Sequence, residues 1–428
     1  MTLSNNNSMP KQKNLLKTIG PGLLFASTAI GTSHLVLSTR AGAHHGMIFV
    51  LIILATLILK YPFYEFGPRY AIATGQSLIK GYKAQGKWAI YLFLGVVFMN
   101  MFAVTGAIGA VSAGLLSTMV GIEIGVKLLA GIVIAITVAL LLLGGYSLLD
   151  NFIKVLSVIL LVTVSIAFFA VLFSGPIDPV ANFDVPKLLE GAGLALMVSL
   201  IGWMPAGMEA STMNSIWVIE KMRTTNYKPT LKESLFDFNL GFLFTTVLAL
   251  KFLTIGAYTN YGSGQLMSEK AVAFSNELIA IFTTNLGNWS YWIIAIAAFG
   301  TIYGTLITIL DAFTRSFVRG LLALKEQEIS ETEQQITIKK NYKILLPIIG
   351  LGGFLLFYLS VHSMGVILKY ATILGFLTTP VIAFLNIRAI TSDSVSSEFR
   401  PSGMLIGLAY LGLLASVLFA FYYLSTLV

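Results

Sequence analysis

The 428-residue chain contains no cysteine and few charged residues, which make up 11% of it. Without cysteine there is no disulfide framework, thiolate metal site or iron–sulfur cluster, so any metal ligand here is an oxygen, a nitrogen or a thioether. Soluble domains carry about 25% charged residues, whereas 56% of this chain is apolar and its mean hydropathy is +0.85. The composition excludes a soluble globule and predicts an integral membrane protein in contact with lipid.

Catalytic motifs are missing as well. No apolar segment contains His-Glu-x-x-His or Gly-x-Ser-x-Gly, which excludes the common zinc-hydrolase and serine-hydrolase sites. The sequence therefore predicts no enzyme, no catalytic residues and no cofactor. The formal charge of +8 comes from basic residues in short loops, where such residues set membrane orientation, so we expect no nucleic-acid partner. The oligomeric state is left open.

Long apolar runs are what the chain has in quantity. A hydrocarbon core of about 30 Å needs about 20 apolar residues in a helix. Such runs predict an all-α protein with eleven transmembrane helices, near 16–42, 46–74, 88–119, 124–144, 151–175, 190–218, 234–257, 289–321, 343–361, 366–389 and 402–427.

Basic residues predict how these spans are oriented. With the N-terminus in the cytoplasm, eighteen Lys and Arg residues fall in cytoplasmic segments, and only Lys127, Lys187 and Lys270 fall outside. This bias satisfies the positive-inside rule. It predicts a multi-pass protein of the plasma (inner) membrane, with an odd number of spans that places the C-terminus outside.

The order of the spans predicts an internal repeat. Five spans precede a longer connector at 175–189, and five more follow it. An odd number of crossings per unit inverts the second unit. We expect a cytoplasmic tail at 1–15, a first five-helix repeat at 16–175, an inverted repeat at 190–390 and an extra eleventh helix at 401–428.

Helix-breaking residues interrupt spans one and six at matching places. Residues 31–34 read Gly-Thr-Ser-His, and residues 202–209 read Gly-Trp-Met-Pro-Ala-Gly-Met-Glu. Unpaired backbone inside a bilayer is tolerated only against protein or a water-filled cavity, and paired breaks of this kind indicate a transporter's substrate site. The predicted substrate-binding residues are Gly31, Thr32, Ser33, His34, Trp203, Met204, Ala206, Gly207 and Glu209.

Three further segments carry a family resemblance. The chain reads Gly-Pro-Gly-Leu-Leu at 20–24, Arg-Ala-Gly-Ala at 40–43 and Tyr-Ala-Ile-Ala-Thr-Gly at 70–75. With the Met-Pro break of span six and the eleven spans, these segments resemble the natural-resistance-associated macrophage protein (Nramp) metal transporters. The resemblance implies the leucine-transporter fold, broken helices 1 and 6, and secondary active transport of a divalent metal ion by alternating access.

The chain departs from that family at the residues that carry its chemistry. Family members have Asp-Pro-Gly-Asn at the first break, where the Asp and Asn bind metal. The matching residues here, 31–34, are Gly-Thr-Ser-His, so the anionic ligand is missing. The family's methionine ligand is kept as Met204, whereas its two histidines are replaced by Ala206 and Ser211. Span three has no ionisable group over 102–109, which implies weakened or absent proton coupling.

Three side chains remain as candidate metal ligands. Glu209 is a carboxylate in mid-membrane, where such groups mark functional sites; the alternatives are a pair with Arg40 or a cap on the half-helix after Pro205. His34 offers an imidazole nitrogen or titrates near neutral pH, and otherwise is a satisfied histidine at a helix end. Met204 is a thioether ligand or core filler.

A small organic or anionic solute is the alternative substrate, since half-helix N-termini favour anions and small residues leave room at the breaks. A non-transporting sensor on the same scaffold also stays open.

In some amino-acid transporters of this fold a basic group in span five replaces a sodium ion. Lys154 lies in span five, although an ion pair with Asp150 four residues earlier fits its position better.

The remaining intramembrane charges predict ion pairs or gates. Glu65 and Arg69, like Asp311 and Arg315, are four residues apart and are predicted to pair on one helix face, with a gate as the functional alternative. Arg40 has no acid nearby in sequence and needs a partner on another helix. Lys60 and Lys251 lie deep enough to require a paired or cavity-facing position; either is a candidate proton carrier. The gating or coupling candidates are Arg40, Glu65, Arg69, Lys154, Asp311 and Arg315.

Overall fold

A computed structural model describes residues 17–121, 124–144, 146–181, 183–325, 331–361 and 363–427, without the side chains of 146–157, 285 and 331. Asp150 and Lys154 therefore have no described side-chain contacts. The first half of the chain forms α1 Pro21–Ala29, a wide-turn π segment Ile30–Ser38, α2 Thr39–His45, α3 Phe49–Thr74, α4 Leu78–Ala84, α5 Lys87–Val120, α6 Val126–Leu142 and α7 Tyr146–Ser174. The second half forms α8 Gly191–Trp203, α9 Ala210–Thr225, α10 Leu231–Asn260, α11 Ala271–Leu286, α12 Tyr291–Leu324, α13 Glu331–Leu359, α14 Met364–Ile390 and α15 Gly403–Ser425.

Many of these helices are long enough to cross a bilayer. Eight stretches of the described residues are sufficiently long and apolar: Pro21–His45, Ile48–Thr74, Lys87–Val120, Leu231–Asn260, Asn288–Leu324, Thr332–Leu359, Met364–Ile390 and Gly403–Ser425. They coincide with eight predicted spans. Shorter apolar helices Val126–Leu142, Val158–Ser174 and Gly191–Trp203 lie at the other three. The chain is an all-helical membrane protein, as the lipid requirement for internally paired backbone dictates.

Local sequence sets where the helices begin and end. α3 and α5 end at Gly75 and Gly121, whose φ values of 69° and 71° are left-handed and suit glycine. α10 begins with a capping box in which the Thr230 hydroxyl and the Glu233 carboxylate each accept from the other residue's backbone N–H. These signals place helix ends but do not fix how the helices pack.

The packing surrounds the two interrupted helices. α5 packs along α12 through the middle of the bundle, α10 packs against α1 and α2, and α14 packs against α8. At the N-terminal end of α1, the Asp237 carboxylate of α10 accepts from the backbone N–H of Gly20 at 3.1 Å and of Gly22 at 2.6 Å. This carboxylate satisfies two of the free donors that begin a helix.

Candidate functional site

The two helix breaks lie directly against each other. In the first, Gly31 has φ −68° and ψ −121°, outside helix geometry. In the second, the chain leaves α8 at Met204 and resumes helix in α9 at Ala210. The Ser33 hydroxyl donates to the Pro205 carbonyl oxygen at 3.1 Å. The structure thus brings together the two segments that the sequence singled out.

A cavity of about 50 Å³ lies between the breaks. Its lining includes six of the nine predicted binding residues, Thr32, Ser33, Trp203, Ala206, Gly207 and Glu209. Other parts of its wall come from α5 and α12, through Val104, Ile108, Thr305, Ile309 and Phe313. The two long central helices therefore complete a chamber whose polar groups come mainly from the breaks.

Glu209 is the charged residue in this lining. It is 5% exposed, and its Oε2 atom has no hydrogen-bonding partner among the described residues. A Cβ at Gly207 would lie 2.7 Å from Oε1 of Glu209, so glycine is what lets the carboxylate fold back over the break. The buried Thr32 hydroxyl also lacks a described partner. Two oxygen atoms at the breaks are thus available to a ligand.

The structure does not bring Gly31, His34 or Met204 to the cavity lining. A Cβ at Gly31 would lie 2.0 Å from the Thr305 hydroxyl oxygen, so this glycine permits close packing. The His34 ring is fully buried; its Nδ1 lies 2.7 Å from the Ala29 carbonyl oxygen and its Nε2 lies 3.0 Å from the Thr245 carbonyl oxygen. Nδ1 also lies 2.8 Å from the Ser33 hydroxyl oxygen, so both ring nitrogens contact other protein groups and the ring lies outside the cavity lining.

No group of three or more His, Asp or Glu side chains is arranged to hold a metal ion within the residues that the structure describes. Of the three predicted ligands, Glu209 lines the cavity, while Met204 is buried beneath it. A cation held here would be bound by oxygen atoms around a single carboxylate.

Helix α3 supplies two side chains that stabilise the second break. The Tyr64 hydroxyl donates to the Ala206 carbonyl oxygen at 2.5 Å. The Lys60 ammonium donates to the carbonyl oxygens of Ile201, Gly202 and Met204. The sequence predicts a paired or cavity-facing position for Lys60 but does not assign it to the break, and it indicates no role for Tyr64. The signal was their spacing of four residues on one helix, which places both on the same face.

A wide vestibule of about 710 Å³ opens at the end of the bundle that carries His44 and His45. Its floor includes Leu37 and Ser199, which lie four residues, about one helical turn, from Ser33 and Trp203 of the cavity on the same two broken spans. The vestibule therefore leads towards the cavity and stops one turn short of it.

The vestibule is lined by both signs of charge, from Arg40, Lys187, Glu190, Glu269 and Lys369. Lys187 pairs with Glu190 at 2.9 Å. Arg40 finds the cross-helix partner expected of it, donating to the Ser268 carbonyl oxygen at 2.6 Å and lying 4.9 Å from the Phe274 ring centroid, but its Nε has no described partner. Arg40 therefore lines the vestibule, while its Nε is buried without a described partner.

Comparison with known proteins decides the family. The sequence profile described as Natural resistance-associated macrophage protein-like matches residues 22–426. The chain belongs to the Nramp family. It is also 34% identical over 404 residues to an uncharacterised protein of Pasteurella multocida (strain Pm70), across 92% of this chain and 89% of that protein.

Solved structures show the fold of this Nramp-family chain. A manganese transporter of Eremococcus coleocola superposes with a TM-score of 0.70 at 13% identity, covering 98% of this chain and 88% of that one. MhsT bound to L-phenylalanine gives 0.58 at 14% identity, over 94% and 98% of the two chains. Mhp1, a nucleobase-cation-symport-1 family transporter, gives 0.56 at 14% identity, over 99% and 96%. The fold is that of the leucine transporter, and the protein is a transporter, not an enzyme.

The two predicted intrahelical ion pairs of this Nramp-family protein are present. Arg69 donates to both carboxylate oxygens of Glu65, at 3.0 and 2.9 Å from Nε, and Arg315 Nε donates to Asp311 at 2.7 Å. The Tyr342 hydroxyl donates to the other Asp311 oxygen at 2.7 Å, which ties α12 to α13. Their gating role stays a prediction.

Polar side chains join four helices on the α4 side of the cavity. The Tyr82 hydroxyl donates to the Asn386 carbonyl oxygen at 2.5 Å and lies 3.0 Å from the Thr212 hydroxyl. The Asn386 amide donates to the Ser211 hydroxyl at 2.8 Å and to the Phe63 carbonyl at 3.2 Å. All five residues are buried. This network links the four helices near the C-terminal end of α14, whereas the vestibule lies at the N-terminal end of α14.

Asn214 contrasts with that network. It is 0% exposed, and neither atom of its amide has a partner among the described residues, although Met213 beside it lines the cavity. An unsatisfied buried polar group destabilises a fold by about 1–3 kcal/mol. We expect Asn214→Leu to raise the melting temperature of the purified protein, because leucine replaces an unsatisfied buried amide.

Asn386→Leu is the matched control for that prediction. Its amide is fully engaged, so the same change should lower the melting temperature. Thermal unfolding of both variants beside wild type measures the difference. A drop for Asn214→Leu as large as that for Asn386→Leu would show that Asn214 is an ordinary structural amide.

Proposed function

We propose that the chain is a secondary active transporter that moves a divalent metal cation by alternating access through the cavity between the breaks. The main support for this proposal is Glu209, a buried carboxylate in this cavity whose Oε2 has no hydrogen-bond donor among the described residues. A carboxylate in a low-dielectric site is strongly destabilised without a positive partner. The Lys60 ammonium offsets this charge only through space, since its three N–H bonds are used on backbone carbonyls. A cation can therefore bind the free carboxylate oxygen directly, with Thr32 and the exposed backbone of the breaks as further oxygen ligands.

The size and chemistry of the cavity support a small ion. About 50 Å³ accommodates an ion with a few waters, whereas pockets for organic ligands usually exceed about 300 Å³. Carboxylate, hydroxyl, carbonyl and water oxygens are the ligands preferred by Mg²⁺ and Mn²⁺. A single carboxylate predicts weaker binding than a cage with several.

Alternating access needs one open and one closed side, which the vestibule and the buried Tyr82–Asn386 network support. We assign the vestibule to the outside and the network to the cytoplasmic side, with the N-terminus in the cytoplasm, following the basic-residue bias. The architecture that completes this proposal has eleven spans in the inner membrane. Its two inverted five-helix units at 16–175 and 190–390 have broken first members, and α15 is the added helix.

We propose further that proton coupling is weak or absent. The part of α5 that faces the cavity, around Val104 and Ile108, contains no titratable side chain from 102 to 109. A coupled proton needs a group that binds and releases it along the path. Uptake is therefore expected to depend little on the pH gradient.

A small organic or anionic solute is the second candidate, and one observation favours it. The vestibule is large, about 710 Å³, and Arg40 and Lys369 line it. Cationic donors of this kind bind carboxylates. In this case the cavity between the breaks would have to widen to admit the solute.

Uptake by reconstituted proteoliposomes tests the proposal. With Mn²⁺, Mg²⁺, Fe²⁺ and Co²⁺ supplied in turn, we expect at least one ion to enter above the rate of empty liposomes. An imposed pH gradient should leave that rate nearly unchanged.

Other outcomes point elsewhere. If no dication is moved or bound while an organic carboxylate raises the melting temperature, the second candidate replaces the first. Binding of a ligand without any flux would instead indicate a sensor. A flux driven strongly by a pH gradient would contradict the proposed loss of proton coupling.

A further inference from the structure

The C-terminal end of α8 carries carbonyl groups with no helical partner. α8 ends at Trp203, and the last helical bond runs from Met204 N to the Leu200 oxygen at 2.8 Å. The next acceptor, the Ile201 carbonyl, would need an N–H from Pro205, which has none. Such a helix end carries a partial negative charge in addition to its free oxygens.

The Lys60 ammonium occupies this helix end. It donates to the carbonyl oxygens of Ile201 at 2.8 Å, Gly202 at 3.0 Å and Met204 at 3.2 Å. An ammonium has three N–H bonds, so every donor is used on backbone. Lys60 is 5% exposed, and the carboxylate of Glu209 is the acid that attracts it.

The geometry resembles the coordination of an alkali ion more than that of an ordinary ion pair. Three backbone oxygens converge on one positive centre, and a carboxylate lies close by. In transporters with discontinuous helices, unwound carbonyls and half-helix C-termini coordinate Na⁺. Here a side chain of the protein supplies the charge.

We propose that Lys60 is a built-in substitute for a bound monovalent cation at the end of α8. The wild-type transporter then takes no alkali ion at this point. Removing the ammonium uncovers an alkali-ion site formed by the carbonyls of Ile201, Gly202 and Met204. This proposal does not depend on which substrate the protein transports, and its test measures thermal stability rather than transport.

Lys251 offers a matched control on the other side of the fold. It also lies on a membrane-spanning helix, α10, but its ammonium donates to the Ser165 hydroxyl at 2.6 Å and lies 5.9 Å from the Phe168 ring centroid. Within the described part of the chain, its ammonium is hydrogen-bonded to this hydroxyl and to no backbone carbonyl of a helix end. Removing this lysine should therefore create no cation site.

Thermal unfolding in detergent tests the proposal, with NaCl, KCl and choline chloride at equal ionic strength. Wild type should melt at the same temperature in all three salts. Lys60→Ala should melt lower in choline and recover saturably in Na⁺ or K⁺, by at least about 3 °C. Lys251→Ala should show no difference between the salts.

Two results would overturn it. One is a Lys60→Ala protein that melts equally in all three salts; the other is a wild-type protein that Na⁺ or K⁺ stabilises over choline. If Lys60→Ala does not survive purification in choline, recovery of folded protein only in an alkali salt supports the proposal. Failure to recover it in any of the three salts contradicts it.

Discussion

Glu209→Gln is expected to lower the initial transport rate by about 1,000-fold, because two unit charges 4 Å apart attract by about 4 kcal/mol at an effective dielectric constant of 20. The amide keeps the shape and one oxygen of the carboxylate but loses its charge. Initial uptake rates in proteoliposomes, at several concentrations of the transported ion, measure the effect.

Glu190→Gln is the control for this prediction. Glu190 lines the vestibule and pairs with Lys187 at 2.9 Å, with its side chain 68% exposed, and exposed pairs contribute little. Its rate should stay within about twofold of wild type. Wild-type rates for Glu209→Gln would move the substrate to another place in the bundle.

Gly42→Leu is expected to destabilise the protein by about 3 kcal/mol or more. α2 and α10 approach so closely that a Cβ at Gly42 would lie 2.0 Å from the Leu253 carbonyl oxygen. From the other helix, a Cβ at Gly256 would lie 2.1 Å from the Thr39 carbonyl oxygen. The obstruction is backbone on both sides, so the helices must separate to admit a side chain. Thermal unfolding and the yield of monodisperse protein report the loss.

Gly95→Leu distinguishes this packing effect from any general intolerance of glycine replacement. Gly95 lies within α5, and a Cβ there meets no atom within 4 Å. Leucine gains about 0.8–1 kcal/mol of helix propensity over glycine, so this variant should be as stable as wild type or more so. Equal melting temperatures for the Gly42 and Gly95 variants would refute the close-packing explanation.

Much of the candidate site could be predicted because unpaired backbone N–H and C=O groups are costly in lipid. Helix-breaking residues lie within 31–34 and 202–209, and the structure leaves helix geometry within these ranges, at Gly31 and at Met204. The Glu65–Arg69 and Asp311–Arg315 pairs follow from a spacing of four on one helix. These features depend only on residues close together in sequence.

The orientation of individual side chains at the breaks could not be predicted. His34 is a polar residue in mid-membrane, and whether its ring faces the cavity or the Thr245 carbonyl depends on where α10 lies. Met204 likewise belongs to the break while its side chain lies outside the cavity lining. Lys60 is more than 140 positions from the carbonyls it holds, and no local pattern encodes that distance.

The sequence by itself determined that this protein is a membrane transporter with two broken helices, because composition and helix-breaking residues act locally through the physics of the bilayer. Only the tertiary structure decided which side chains meet at those breaks. It left Glu209 available in the cavity, engaged both nitrogens of His34, and placed the Lys60 ammonium on the open end of α8. Hydrogen bonds between distant segments form only once the packing of the helices fixes their positions.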